Sequence, residues 1–546
     1  MWTSVNEKAV PGTVHLIDIS ENLQVAHSES KKDVVLVPAP SDDPEDPLNW
    51  TTARKYRAMA LCHLYTFVIG WSSASVYSIL VPVSEATGLS VADLNRGSGT
   101  MLLFFGWGCV FWQPFGLTFG RRGCYLISLA LSAAISVWTA YSTNYSTWVT
   151  QRILLGLFGA PIEGICEVTV TDLFFSHQRG RHIGTYVLML TAGAYLSPLA
   201  NGFINQSMGW QWVMYWAAII NGAAFVVCFF FMEETMYYRN TTFEASVDQR
   251  NDSQADLDIE RESAVNSEEM TEKTESPSSV KEMEIKNYPK KTYLQKLKLF
   301  TYIPEKPNEF WTMMYRPFLV SVRLPIVIWA SFIHGIAVCC FTSTNATASV
   351  ILSAAPYNFK SSMVGLTYIA PTIGAVLGGF WSGEISDIFC LWMARRNGGY
   401  KESEHRLWSM VLICIIPPAG LILWGVGAAH GIHWVGLTFG MGMLGFTLSG
   451  TGGVVFGYVI DSYKEVAGET LIIVNIIRCT MAFGYGYAVT PWVENEGLQN
   501  SFIEMAAICV VCFSTFIIFI KFGKSLRRRS AKYYWKMVRS GLKTTH

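Results

Sequence analysis

Residues 148–173 read Trp148-Val-Thr-Gln-Arg-Ile-Leu-Leu-Gly-Leu-Phe-Gly-Ala-Pro-Ile-Glu-Gly-Ile-Cys-Glu-Val-Thr-Val-Thr-Asp-Leu173. The run is long enough for a helix to cross the ~30 Å hydrocarbon layer, which takes about 20 residues. Yet it carries Arg152, Glu163 and Glu167 in its interior. Ionisable groups are costly inside a membrane, so each is a functional candidate. On a continuous helix Arg152 and Glu163 fall about 20° apart, and Glu167 about 40° further round. The rise sets Glu163 about 16 Å below Arg152, near mid-membrane. Desolvation there penalises the charged carboxylate, so the group suits proton exchange or pairing with a cationic ligand. Gly156, Ala160 and Gly164 form a small-residue ridge for close helix contact. Pro161 is expected to open the helix beside Glu163.

Eleven more apolar blocks accompany this one. The twelve lie at about 58–83, 98–119, 124–142, 148–173, 183–205 and 211–232, then 319–342, 362–384, 406–429, 433–459, 470–493 and 501–521. Over 546 residues the chain is 51% hydrophobic and 15% charged, against ~25% charged for soluble domains. Blocks this long exclude barrel strands, so the expected fold is all-α, with twelve transmembrane helices in two six-helix halves. Lys and Arg orient it. Short loops on one side hold Arg121, Arg122, Arg179, Arg181, Arg395, Arg396, Lys401, Arg406 and Lys464; the other side holds Arg96 and Lys360. Both termini are therefore expected in the cytoplasm.

The expected divisions are a disordered N-terminal tail (1–55), a first half (56–232), a cytoplasmic linker (233–318), a second half (319–521) and a basic tail (522–546). Within the linker, residues 248–284 hold twelve acids and four bases, a composition expected to be disordered. Residues 290–300 are basic and amphipathic, suited to a membrane surface or a plain linker helix. Residues 1–50 are polar and lack a signal-peptide core. Sequons at Asn144, Asn205 and Asn345 fall at outer positions and are possible glycosylation sites.

Zero net charge offers no argument for nucleic acid. Phe522-Gly-Lys-Ser525 lacks the first glycine of a Walker loop, because Ile518 stands there. No zinc helix or nucleophile elbow is present. No metal, no cofactor and no enzymatic activity are expected. In the second half, Arg478 with Asn475 one turn earlier, and His334, are further intramembrane candidates.

Gln113-Pro-Phe-Gly-Leu-Thr-Phe-Gly-Arg-Arg122 resembles the G-x-x-x-D-R-x-G-R-R loop of the major facilitator superfamily. Gly120, Arg121 and Arg122 match; Gln113 and Leu117 replace the first Gly and the Asp. After the eighth block, Gly383-Glu-Ile-Ser-Asp387 restores both. The resemblance implies an inner gate held by charge pairing. Arg152-Ile-Leu-Leu-Gly156 is similar to the family's R-x-x-x-G pattern, whose Arg is linked to proton coupling. Gly193-Ala-Tyr-Leu-Ser-Pro198-Leu-Ala-Asn-Gly202 looks like its antiporter motif, with Ser197 and Asn201 in place of two glycines.

Asp43–Trp50, Ala160–Glu163, Glu234–Arg239, Ala394–Gly399 with Arg406–Trp408, and Tyr458–Tyr463 together resemble the fungal twelve-span drug:proton antiporters, nearest their polyamine- and cation-transporting branch. The resemblance implies a plasma-membrane, proton-coupled transporter that exports drugs, toxins or secondary metabolites. Its expected partners are a small-molecule substrate, protons and the lipid bilayer. A monomer is expected to suffice, since one chain supplies both halves. Proton-driven uptake of polyamines or other organic cations is the alternative, and a non-transporting nutrient sensor is the alternative of another class.

Overall fold

The computed structural model describes residues 11–15, 27–28, 31–35, 41, 43–237, 292–300, 310–397 and 400–542. Residues 248–284, expected to be disordered, lie outside these.

Among the described residues ten helices are long and apolar enough to cross a membrane. The last, Ala467–Val538, turns back at Gly497, whose φ of 79° and ψ of 159° are not helical. It therefore supplies two legs. Thr52–Ser73 completes twelve; its first turns carry Arg54, Lys55 and Arg57. In the first half we number α1 Thr52–Ser73, α2 Val91–Phe119, α3 Arg121–Thr139, α4 Tyr145–Leu173, α5 Ser176–Met208 and α6 Trp210–Phe231. In the second are α7 Pro325–Ser353, α8 Ser361–Arg396, α9 Met410–Ala429, α10 Trp434–Ser462, α11 (467–496) and α12 (498–514).

Local chemistry sets the boundaries where they depart from hydropathy. The first span stops at Ser73 rather than 83. There Ser72 and Ser73 bond back to the Val68 and Gly70 carbonyls, and the chain turns before a short helix, Leu80–Thr87. The seventh begins at Pro325, because Leu324 before a proline is driven out of the α region (φ −116°, ψ 85°). A separate amphipathic helix, Phe310–Arg323, precedes it and overlaps the end of the expected linker. The expected loops after α2 and α8 are also absent. Gln113–Phe119 is helical and Gly120 alone makes the corner, at φ 109°. Residues 381–385 form a π-helical turn inside α8, which continues to Arg396.

The halves meet along α2 with α11 and α5 with α8. Glycines permit both contacts. A Cβ on Gly106 would strike the Asn475 carbonyl and Cys479, and one on Gly202 the Ser361 carbonyl. At the end remote from the linker, polar groups tie the seam. Asn95 donates to the Ala346 carbonyl (3.3 Å) and Thr490 (3.1 Å), the Val81 amide to Ser349 (3.3 Å), and Asn205 to Ser361 (3.1 Å).

At the linker end the terminal segments are folded onto the bundle. Residues 43–50, expected to belong to a disordered tail, make a compact turn. Asp46 caps Pro47–Asn49, and Trp50 donates to the Glu45 carbonyl at 3.1 Å. Arg54 lies over the Trp50 ring and joins Glu45 (2.9 Å) to Glu233 (2.5 Å). Lys296 of the linker pairs with the same two acids. The expected basic tail lies largely within a helix, Phe516–Leu542. Its Arg527 is fully enclosed, paired with Glu402 (2.8 Å) and Glu404, and donates to the Pro11 carbonyl.

The sequons separate. Asn144 is exposed ahead of α4. Asn205 is half-buried within α5. Asn345 lies inside α7 and accepts from the Tyr368 hydroxyl at 3.2 Å. At 6% exposure it has no room for a glycan, so its expected outer-loop position is corrected. If the chain is glycosylated at Asn144, endoglycosidase shifts the wild-type band and Asn345→Gln alike, and leaves Asn144→Gln unmoved.

Candidate functional site

Helix α4 is interrupted at its centre. Tyr145–Gly159 is α-helical, Ala160–Glu163 tightens to a 3-10 turn, and Gly164 (φ −143°) resets the chain before Ile165–Leu173. Pro161 has no N–H to give and its ring crowds the preceding turn. The Leu157 carbonyl, which Pro161 leaves without its helical donor, accepts from Trp112 Nε1 at 2.7 Å, and carbonyls inside the break are held as well. Ala160 accepts from Cys109 Sγ (3.6 Å), Ile162 from the Tyr186 hydroxyl (2.9 Å), and Glu163 from Asn475 Nδ2 (3.0 Å).

The last of these crosses from one half to the other. The Glu163 carboxylate also pairs with Arg478 Nη2 of α11, whose Nε donates to Asn475 Oδ1 at 3.0 Å. Both charged side chains are about five-sixths enclosed, at 16% and 15% exposure. An ion pair so placed holds only while both partners stay, since either one alone would be an uncompensated buried charge. Glu167 lies one turn further on, half-buried and within electrostatic reach of Glu163 and Arg478. Two carboxylates thus face one guanidinium. Ionised together they leave an excess negative charge in a low-dielectric place, which one proton or one cationic group would balance.

The break in α4 falls between Arg152 and Glu167, at Ala160–Gly164. Arg152 stands apart from Glu163. It is 2% exposed, 4.5 Å from the Trp148 ring centroid, and touches Met101 Sδ. Its Nε and Nη2 are buried without a hydrogen-bond partner. His334 is buried between α7 and α10, edge-on to Phe456 at 4.8 Å, with Nδ1 unpartnered.

A second set of charges gathers at the linker end. The Glu234 carboxylate accepts from the Arg121 and Arg122 amides (2.9 and 3.0 Å), so it caps α3 where the helix dipole favours an anion. A side chain at Gly120 would collide with it. Arg121 pairs with Asp172 at the end of α4 (3.0 Å). Arg122 is fully buried and donates to the carbonyls of Phe229 (2.6 Å), Met232 (2.8 Å) and Leu297. In the second half Arg406 joins Asp387 (2.8 Å) to Asp461 at the end of α10 (3.2 Å). Arg121–Asp172 and Arg406–Asp461 are thus equivalent links in the two repeats. The halves differ at Asp387 itself, whose place in the first half is taken by Leu117. Gly383 lies on an open face of the π turn.

On α5, Gly193 meets the Phe67 carbonyl of α1, and the Pro198 carbonyl and Gly202 meet α8 at Gly365 and Ser361. The two non-glycine positions of that motif make bonds a glycine could not. Ser197 donates to the Trp71 carbonyl (2.7 Å), and Asn201 to the Ser75 carbonyl (3.2 Å).

With the fold and these sites in view, the chain was compared with known proteins. Residues 62–487 match the model of the Major Facilitator Superfamily. The chain belongs to that superfamily. It is 30% identical to an uncharacterised MFS-type transporter of Schizosaccharomyces pombe, covering 96% of this chain and 94% of that one. It is 27% identical to protein HOL1 of Saccharomyces cerevisiae (97% of each), and 22% identical to the MFS antiporter QDR3 of Candida albicans (89% and 80%). Among solved structures, the xylose transporter XylE from E. coli, in a partially occluded inward-open conformation, matches with TM-score 0.55. Identity is 11%, and the match covers 85% of this chain and 99% of that one. At that identity the likeness concerns the fold alone.

Proposed function

We infer that this transporter is a proton-coupled carrier of small organic molecules, working by alternating access, with export of drugs, toxins or secondary metabolites as its direction. The observation that carries the reading is the Glu163–Arg478 pair across the seam, with Glu167 beside it as the unbalanced carboxylate. A proton taken up by Glu163 removes its charge and releases the Arg478 contact that joins the halves, leaving Glu167 to balance Arg478. The halves can then part at the linker end and re-form on the other side of the substrate. Loss of the proton restores the bridge. The loop charges support an orientation with both termini cytoplasmic, and plasma-membrane residence is part of the same proposal. The antiporter-like ridge on α5 and the named antiporter among the relatives support exchange rather than symport.

The excess negative charge favours a second reading, proton-driven uptake of polyamines or related organic cations. One experiment separates them. The chain is expressed in yeast lacking its main exporters and polyamine importers, and cellular content of labelled polyamines and cationic dyes is followed with and without an uncoupler. Uncoupler-sensitive loss of a compound is the result expected for export; uncoupler-sensitive gain would replace that reading with uptake.

A further inference from the structure

The Phe516–Leu542 helix has two unlike faces. Arg527, Ala531, Tyr534 and Val538 are buried against the second half. On the face beside it Lys521, Lys524, Arg528, Lys532 and Lys536 are exposed. At 100° per residue these five fall within an arc of about 120°. No acid occurs anywhere in 516–542. Lys524 has a carboxylate partner, Glu402 at 2.5 Å. The ridge as a whole is a row of cations facing outward.

Both ends of this helix adjoin exposed apolar surface. At its start Ile517, Ile518 and Phe522 are exposed and apolar, immediately beside Lys521. Near its other end the Arg323 guanidinium lies 5.0 Å from the Tyr533 ring, two residues before α7 begins at Pro325. Arg316 donates to the Met537 carbonyl at 3.2 Å. Both arginines belong to Phe310–Arg323, whose Trp311, Tyr315, Leu319 and Val322 are exposed in one stripe. An apolar outward stripe with cationic neighbours is the pattern of a helix lying in the bilayer interface. Anchored at both ends to that level, the basic helix runs along the membrane boundary rather than away from it.

We propose that this ridge binds the headgroups of anionic phospholipids in the adjoining leaflet. Each Lys or Arg near an anionic surface gains from it, and the gain is screened by salt. The proposal is independent of what the protein carries.

The test uses the full-length protein in nanodiscs of phosphatidylcholine alone or mixed with phosphatidylserine. The readout is backbone hydrogen exchange over residues 521–536. Exchange is expected to slow about tenfold with phosphatidylserine, the scale of one to two basic groups gaining an anionic surface, and to recover at high salt. The variant with Lys521, Arg528, Lys532 and Lys536 all changed to Gln should exchange alike in both bilayers while unfolding at the wild-type temperature. Equal exchange of the wild type in both bilayers would overturn the proposal. So would slow exchange in phosphatidylcholine that is released by neutralising the acids of residues 248–284, since the chain's own linker would then occupy the ridge.

Discussion

Glu163→Gln is expected to abolish uncoupler-sensitive net transport while leaving the protein folded and correctly localised. The reason is the charge count at the seam. With Gln at 163, Glu167 still balances Arg478, so no unpaired ion is left in the membrane. What disappears is the excess carboxylate, and with it the place where a proton counts. Substrate counterflow, which needs no net proton movement, should persist. Glu167→Gln should behave similarly, because it too leaves one acid to one base. Changing both acids together should be far worse for the protein itself. Arg478 would then be an isolated buried cation, a loss on the order of 3–5 kcal/mol, and expression should fall with transport. Uncoupler-sensitive net flux in Glu163→Gln at the wild-type rate would rule out this carboxylate as the coupling group.

The second large effect concerns stability. Arg527→Leu should destabilise the second half by about 3–5 kcal/mol, because it strips the enclosed partner from Glu402 and Glu404. Lys524 remains beside Glu402 but is half exposed and cannot follow Glu404 inward. The apparent Tm in detergent should fall clearly. Adding Glu404→Gln to Arg527→Leu should restore part of the loss by removing one stranded charge. An unchanged Tm in Arg527→Leu would show that the cluster is solvated rather than structural.

The membrane fold was legible because hydrocarbon leaves the backbone few choices, and a helix long enough to cross it cannot hide in composition. What hydropathy could not place were the ends. Ser72, Ser73 and Pro325 decide them through local hydrogen bonds and ring sterics, which an apolar average does not register. The central acids were legible as costly residues in a costly place. Their partner was half legible. Arg478 and Asn475 stood out on their own helix, but their contact with Glu163 is a tertiary fact separated by more than 300 residues. The opening of α4 was legible in Pro161, while the burial of Arg152 against Trp148 and Met101 depends on tertiary contacts.

The charges at the linker end were hardest to read. The motif's missing Asp drew attention to Leu117, while the acids that hold the arginines, Asp172 and Glu234, come from the ends of other helices. Both sat in stretches already conspicuous for their composition. Nothing in a single sequence says that a residue after the sixth span will cap the third.

The interruption in α4 carries one more implication. Of the main-chain oxygens around it, those of Leu157, Ala160 and Ile162 are held by Trp112, Cys109 and Tyr186 of their own half, and that of Glu163 is held by Asn475 across the seam. In the proposed cycle Asn475 must withdraw once per turnover. For that interval a peptide carbonyl in the middle of the bilayer has lost its donor. Water can fill the role, and so can an N–H or O–H of the passenger. A molecule that brings such a donor to that spot stands in for Asn475 during the crossing. The carrier is thereby biased toward cargo with a hydrogen to offer, whatever the rest of the molecule looks like.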